Sequence, residues 1–265
     1  FNEGSTVSYP QGHTAKEFFL AKPVQETDAL INLCKMKTHA LERVTGGVKN
    51  LYGCISGLHK AKGHTKYTNA DIFARQLIDL NQLIKPRFCV MDGIVAMDGN
   101  GPTSGDPVKM KVLLLGNDPV AIDSVYCHLV HLDPQMVPTN VHGETMGLGT
   151  WREENIRLLT DGGEITMQEA VERFGNPDFN VDRKKQRGNL WNRFNNGFLR
   201  YFQKKPYIEA DKCKKCGVCV EACPVEGKAL QFKNGRRKPP VYNYHKCIRC
   251  FCCQEMCPEK AIHVK

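Results

Sequence analysis

Nowhere in its 265 residues does this chain run apolar for the roughly 20 positions that a membrane-spanning helix needs, so no helical span is expected. No basic, apolar leader with a small-residue cleavage site opens it either. It begins at Phe1 rather than Met, and the expectation is a fragment or a processed product. No G-x-G-x-x-G follows a strand-like run, which counts against a conventional nicotinamide enzyme. Flavin stays open, because flavin sites lack one reliable short motif. Acidic residues are missing altogether between positions 183 and 206, where eight basic ones stand.

Cysteine is in excess. There are thirteen, and five of them fall between Cys247 and Cys257 in "KCIRCFCCQEMCPEK". Cys247, Cys250, Cys253 and Cys257, followed by Pro258, form the run C-x2-C-x2-C-x3-C-P. The run occurs once more, 34 residues earlier, as Cys213, Cys216, Cys219, Cys223 and Pro224. Four thiolates at this spacing wrap a cubane 4Fe–4S cluster. Zinc is the rival reading, but a zinc ribbon explains neither the third cysteine of each run nor the proline. Two 4Fe–4S clusters in a reducing, low-oxygen cytoplasm are therefore expected. Cys34, Cys54, Cys89 and Cys127 read as ordinary buried thiols, and Cys252 as a small packed side chain or a spare thiol beside a cluster rather than a ligand.

The stretch from 206 to 265 resembles the bacterial-type two-cluster ferredoxin domain. The repeat extends past the cysteines, with Lys212 matching Lys246 and Glu221 matching Glu255. The resemblance implies that Cys213, Cys216, Cys219 and Cys257 hold one cluster, and Cys247, Cys250, Cys253 and Cys223 the other. "PYIEA", "ALQF", "PVYNY" and "AIHV" read as its strands, and "KNGRRKPP" as an exposed turn with Asn234–Gly235 at the tip.

Charge divides along the chain. Residues 1–182 carry 17 basic and 22 acidic side chains, a net of −5, whereas residues 183–265 carry 20 and 6, a net of +14. Each oxidised cluster with four thiolates supplies about −2, so much of that excess offsets the clusters and nucleic acid is not an expected partner. Three parts follow: a domain over 1–182, a basic aromatic linker over 183–205 and a small domain over 206–265. In the linker Trp191, Phe194, Phe198 and Tyr201 recur at helical spacing opposite a basic face. That suits a helix packed on one domain, a dock for an acidic redox partner, or a membrane-surface helix.

The larger domain reads as α/β, with buried strands at 28–36, 87–94 and 111–116. A helix over 68–84 takes Asn69 as cap; another takes Asp118 as cap and Pro119 as first residue, continuing through Val130. Strands alternating with helices imply a largely parallel sheet, with a ligand site past the strand ends. Lys37, His39 and Lys49 lie there beside Gly46, Gly47 and Asn50, and an anion held by a helix N-terminus is expected. Asp92 and Asp98, in the glycine-rich "DGIVAMDGNGP", read equally as turn formers or catalytic acids. His59 and His64 read as metal ligands or as unconnected side chains.

In order, "KMKTH", "TGGVKNLYG", "DGIVAMDGNGP", "NDPVAID" and "GLG" (147–149) resemble the domain-of-unknown-function family 362 over about residues 1–165. Its members often end in a two-cluster ferredoxin module. They usually carry a further segment upstream, which implies a Rossmann-like sheet truncated here at its N-terminus. Two functions are expected. One is an oxidoreductase passing electrons from the clusters to an anionic substrate, or to a further organic cofactor, on the α/β domain. The other is an electron carrier whose larger domain docks a redox partner without chemistry.

Overall fold

A computed structural model describes residues 3–55, 59, 63, 67, 69–184, 204–233 and 235–265. The chain divides into two compact units, 1–181 and 182–265, each with its own core. The linker helix expected over 183–205, and His64 and Asn234 with it, fall almost wholly outside the described residues.

The first unit opens with a hairpin of β1 (Gly4–Ser8) and β2 (Glu17–Ala21), followed by a single helical turn, α1 (Lys22–Gln25). The central sheet uses β3 (Ile31–His39), β4 (Arg43–Thr45), β5 (Phe88–Asp98), β6 (Asp106–Val108) and β7 (Val112–Gly116). Only the β3–β5 pair is parallel; β4 runs antiparallel to β3, and β6 and β7 run antiparallel to β5. The largely parallel sheet expected from alternating elements is thus corrected to a mixed one. The connection from β5 back to β7 is short and non-helical, and it returns the chain antiparallel.

The first halves of β3 and β5 alternate. On β3, Asn32, Cys34, Met36 and Thr38 are buried, while Ile31 and Leu33 are 60% and 71% exposed. Register sets these beside Phe88 and Val90 of β5, and Leu115 and Leu113 of β7 continue the row. Strands expected to be buried on both faces are therefore covered on one. The first of them also begins three residues late, because Thr27 Oγ1 donates to the Ala29 carbonyl and shapes a turn there.

The covered face carries α2 (Gly47–Asn50) and α4 (Pro119–Leu129), and α3 (Ala70–Ile84) packs with α2 and the β1–β2 hairpin in a second core. In α3, Phe73, Ala74, Leu77, Ile78 and Leu80 are fully buried, and Asn69 caps the first turn by accepting the Ile72 amide at 2.8 Å. Asp79 on the same helix accepts the amides of His13, Thr14 and Ala15, pinning the β1–β2 hairpin. Asp118 caps α4 through the Val120 and Ala121 amides, with Pro119 at the first position. Beyond lie α5 (Pro138–Thr145), the hairpin β8 (Leu158–Thr160) and β9 (Gly163–Ile165), and α6 (Met167–Phe174). No described helix is long and apolar enough to cross a membrane.

The second unit is a duplication. Strand β10 (Pro206–Ile208) pairs antiparallel with β13 (Ile262–Val264), and β11 (Leu230–Gln231) with β12 (Val241–Tyr242), matching the four expected strands. Helix α7 (Val218–Glu221) and helix α8 (Cys252–Glu255) stand 34 residues apart, the offset of the cysteine runs.

Candidate metal centres and a buried acid–base nest

Each cysteine run is shaped by two left-handed residues. Lys215 (φ 59°) and Gly217 (φ 90°) in the first have counterparts in Arg249 (φ 58°) and Phe251 (φ 60°) in the second. These reversals curl C-x2-C-x2-C into a tight loop, and the third cysteine of each run falls in the short helix that follows. The amides of Glu221 and Ala222 then bond back to Gly217 and Val218, as those of Glu255 and Met256 bond to Phe251 and Cys252.

The fourth cysteine of each run crosses to the other. Cys213, Cys216, Cys219 and Cys257 line one pocket, walled by Ile208, Pro240 and Ile262. Burial, then the neighbouring Cys257, Cys213 and Cys216, push the Cys219 thiol up to about 11. Cys247 is raised by burial, with Cys250 and Cys223 adding to it. Thiols crowded in this way repel one another as thiolates, which a multiply charged cationic group offsets. Backbone donors are already turned onto the crossing sulfurs: Ala229 N–H to Cys223 Sγ at 3.3 Å, and Ala261 N–H to Cys257 Sγ at 3.4 Å. Such N–H···S bonds favour the thiolate, so the donor set fits an iron–sulfur group. Among the described residues, no three His, Cys, Asp or Glu side chains converge as they would on a single metal ion. An iron–sulfur cluster would instead take one thiolate from each of four cysteines, supplying an electron-transfer centre. Cys252 is buried and its thiol hydrogen-bonds Cys250; that bond lowers Cys250 and raises Cys252, keeping Cys252 a neutral donor.

In the first unit the expected anion site is corrected. The amides of Gly47 and Val48 are taken by Asp123 of α4, at 2.5 and 3.1 Å. The anion at this helix start is the chain's own carboxylate. A Cβ on Gly46 would stand 2.0 Å from Asp123 Oδ1, which accounts for the glycine. Burial pushes Asp123 up to about 7, against the pull of the two amides. Asn50 is spent on the Asn32 side chain and the Leu33 carbonyl. Lys37 and Lys49 do not converge either. Alternation puts Lys37 on the open face with Leu33 and Lys35, whereas Lys49 is buried on α2 against the other face.

Asp92 pairs with Lys35 at 2.5 Å and accepts the Ile94 amide; Lys35, ahead of desolvation, holds it below its ordinary range. Asp98 is buried and accepts the Asn180 amide at 2.7 Å. The glycine-rich loop after β5 lies on β3, since a Cβ on Gly101 would meet the Thr38 carbonyl oxygen at 2.3 Å. His59 stacks on Phe19 with ring centroids 3.9 Å apart.

What the sequence reading missed is Glu42. It is fully buried, and among the described residues neither carboxylate oxygen has a hydrogen-bond partner. Burial pushes it up to about 8, tempered by Lys49 and reinforced by Asp71. His39, also buried, accepts the amides of Leu41 and Glu42 at Nδ1. A glutamate three residues after a histidine carries no signal of such burial. Only its place past the end of β3 hinted at it.

With this geometry in hand, comparison with known proteins decides the second unit. Residues 205–258 match the 4Fe-4S dicluster domain. The second unit is thus an iron–sulfur domain, of the kind that carries electrons. Residues 1–128 match the domain of unknown function DUF362. The chain is also 39% identical, over 149 residues, to the thylakoid-associated protein sll1697 of Synechocystis sp.. That match spans 56% of this chain and 46% of the relative, so the chain spans less than half the length of the curated protein it matches. No solved structure matches.

Proposed function

We propose that the chain is an electron-transfer subunit that holds two 4Fe–4S clusters, Cys213, Cys216, Cys219 and Cys257 serving one and Cys247, Cys250, Cys253 and Cys223 the other. The observation that carries this reading is the crossing of Cys257 into the pocket of the first run. No disulfide joins the cysteines, which suits a reducing compartment such as the cytoplasm. The α/β unit acts as a docking module, because its glycine amides are filled from within and its lysines face apart. Glu42 favours a second reading: an oxidoreductase whose buried acid supplies a proton to a substrate that the clusters reduce.

Anaerobically prepared protein is expected to hold about eight iron and eight sulfide per chain. Cys253→Ser is expected to remove about half of each, whereas Cys252→Ser leaves both intact. One or two zinc ions without sulfide would overturn the reading. Screening the loaded protein for turnover of carbonyl or carboxylate substrates, with Glu42→Gln beside it, separates the two readings. Turnover lost in the variant at full iron content favours the enzyme.

A further inference from the structure

A groove of about 630 Å³ lies over the second cysteine run, and its lining holds no acidic residue. Lys205, Lys228, Lys233, Lys246 and Arg249 supply its cations. Tyr242 and Tyr244 form its floor, stacked at 5.4 Å with 15° between their planes. Beneath that floor are the cysteines. Tyr244 packs with Cys223 and Cys247, and the Tyr242 hydroxyl stands 3.2 Å from Cys253 Sγ. Lys228 Nζ donates to the carbonyl of Cys223 at 2.7 Å, and Arg249 lies within the loop between Cys247 and Cys250.

We propose that this groove docks an acidic one-electron carrier protein, which exchanges electrons there with the Cys247, Cys250, Cys253 and Cys223 set. The proposal rests on the iron–sulfur reading above. In the step the reduced carrier gives up one electron and the oxidised centre takes it; no bond forms or breaks and no proton moves. Charge selects the partner. Residues 204–265 carry 14 basic and 6 acidic side chains, a net of +8. About −4 from two clusters leaves the unit cationic, with five of its charges around one groove. Lys233 and Lys246 are exposed and Lys205, Lys228 and Arg249 half-buried, and Lys228 and Lys205 are already engaged with carbonyls and with the Tyr244 ring. Spread cations that reach solvent in this way steer and orient a protein surface; a small anion requires a desolvated, convergent set.

The test uses the iron-loaded full chain and, as probe, an acidic plant-type [2Fe–2S] ferredoxin. Binding is read by interferometry and electron exchange by stopped flow. Affinity is expected to fall about tenfold or more between 20 and 300 mM salt, and by a similar factor in Lys233→Glu/Lys246→Glu at low salt. Electron exchange should slow in parallel. Lys214→Glu, whose residue lines the other pocket, is expected to change either quantity by less than about twofold. Iron content of each variant reports folding. Full iron with binding indifferent to salt and to the groove variant overturns the docking proposal. So does displacement of the probe by micromolar pyrophosphate, or tighter binding of a single-stranded oligonucleotide. Absence of iron and sulfide from the parent protein overturns the underlying reading instead.

Discussion

Glu42 couples the stability of the first unit to pH. Its carboxyl is raised from 4.5 to about 8 by burial, so the folded state holds a proton that the unfolded chain releases. The resulting stability is complete below pH about 4.5 and is lost as pH rises through 8. Asp123, raised to about 7, acts in the same direction at lower pH. Urea unfolding between pH 5 and 9 is expected to show stability falling by several kcal/mol, and Glu42→Gln to remove the larger share of that fall, the remainder belonging to Asp123. A slope unchanged in the variant would show that Glu42 is solvated or ionised in the fold. Asp123 is structural in a second way. Asp123→Ala leaves the Gly47 and Val48 amides buried without acceptors and is expected to cost about 2–4 kcal/mol in the same assay. Asp123→Asn, which keeps an acceptor oxygen, should cost clearly less. Neither side chain was legible as such in the sequence. The Gly47 amide and its acceptor lie 76 positions apart, and the glycine pair read alone pointed to an external anion.

Elements were legible where their chemistry is local. Asn69 and Asp118 were readable as caps, because a cap needs only a short polar side chain ahead of an apolar periodic run. The cysteine loops were readable for the same reason, their ligand spacing lying within eleven residues. Strand direction was not, since pairing β5 with β7 antiparallel depends on how the chain returns and not on either strand's residues. The open sheet face was also hidden. Ile31, Leu33 and Leu115 are as apolar as buried strand residues, and composition does not reveal what covers them. Energetics distinguish the two faces. Met36→Ala removes a fully buried side chain against α4 and is expected to cost about 2–5 kcal/mol, whereas Leu33→Thr, at a 71% exposed position, should cost less than about 1. Chemical denaturation of both variants checks this. Equal costs would mean that the Leu33 face is covered in solution.

At the scale of the whole molecule the two units differ in what holds them together. The first has two apolar clusters, one around Met91, Tyr126 and Phe179 and another around Tyr52, Phe73 and Leu77. Among its described residues the second has two small ones, and cysteines make up half of the first and most of the second: Cys219, Leu230, Cys253 and Ile262, then Cys223, Ala229 and Cys247. Its strands are two or three residues long and its helices single turns. A domain of that size and core is too small to offset its own chain entropy without a staple. With the proposed ligand set, metal–sulfur bonds would tie each cysteine run to the other, and binding free energy there would be folding free energy. Calorimetry of the anaerobic protein is expected to show two transitions. Stripping iron with a chelator under mild oxidation should abolish the one belonging to residues 204–265 and leave the other within about 3 °C of its original midpoint. Amide hydrogen exchange on the stripped protein should find Leu230 and Ile262 unprotected while Leu77 and Tyr126 remain protected. An iron-free chain that keeps both transitions would mean that the cysteine loops fold on their apolar contacts alone, and the clusters would then be passengers on the second unit rather than its core.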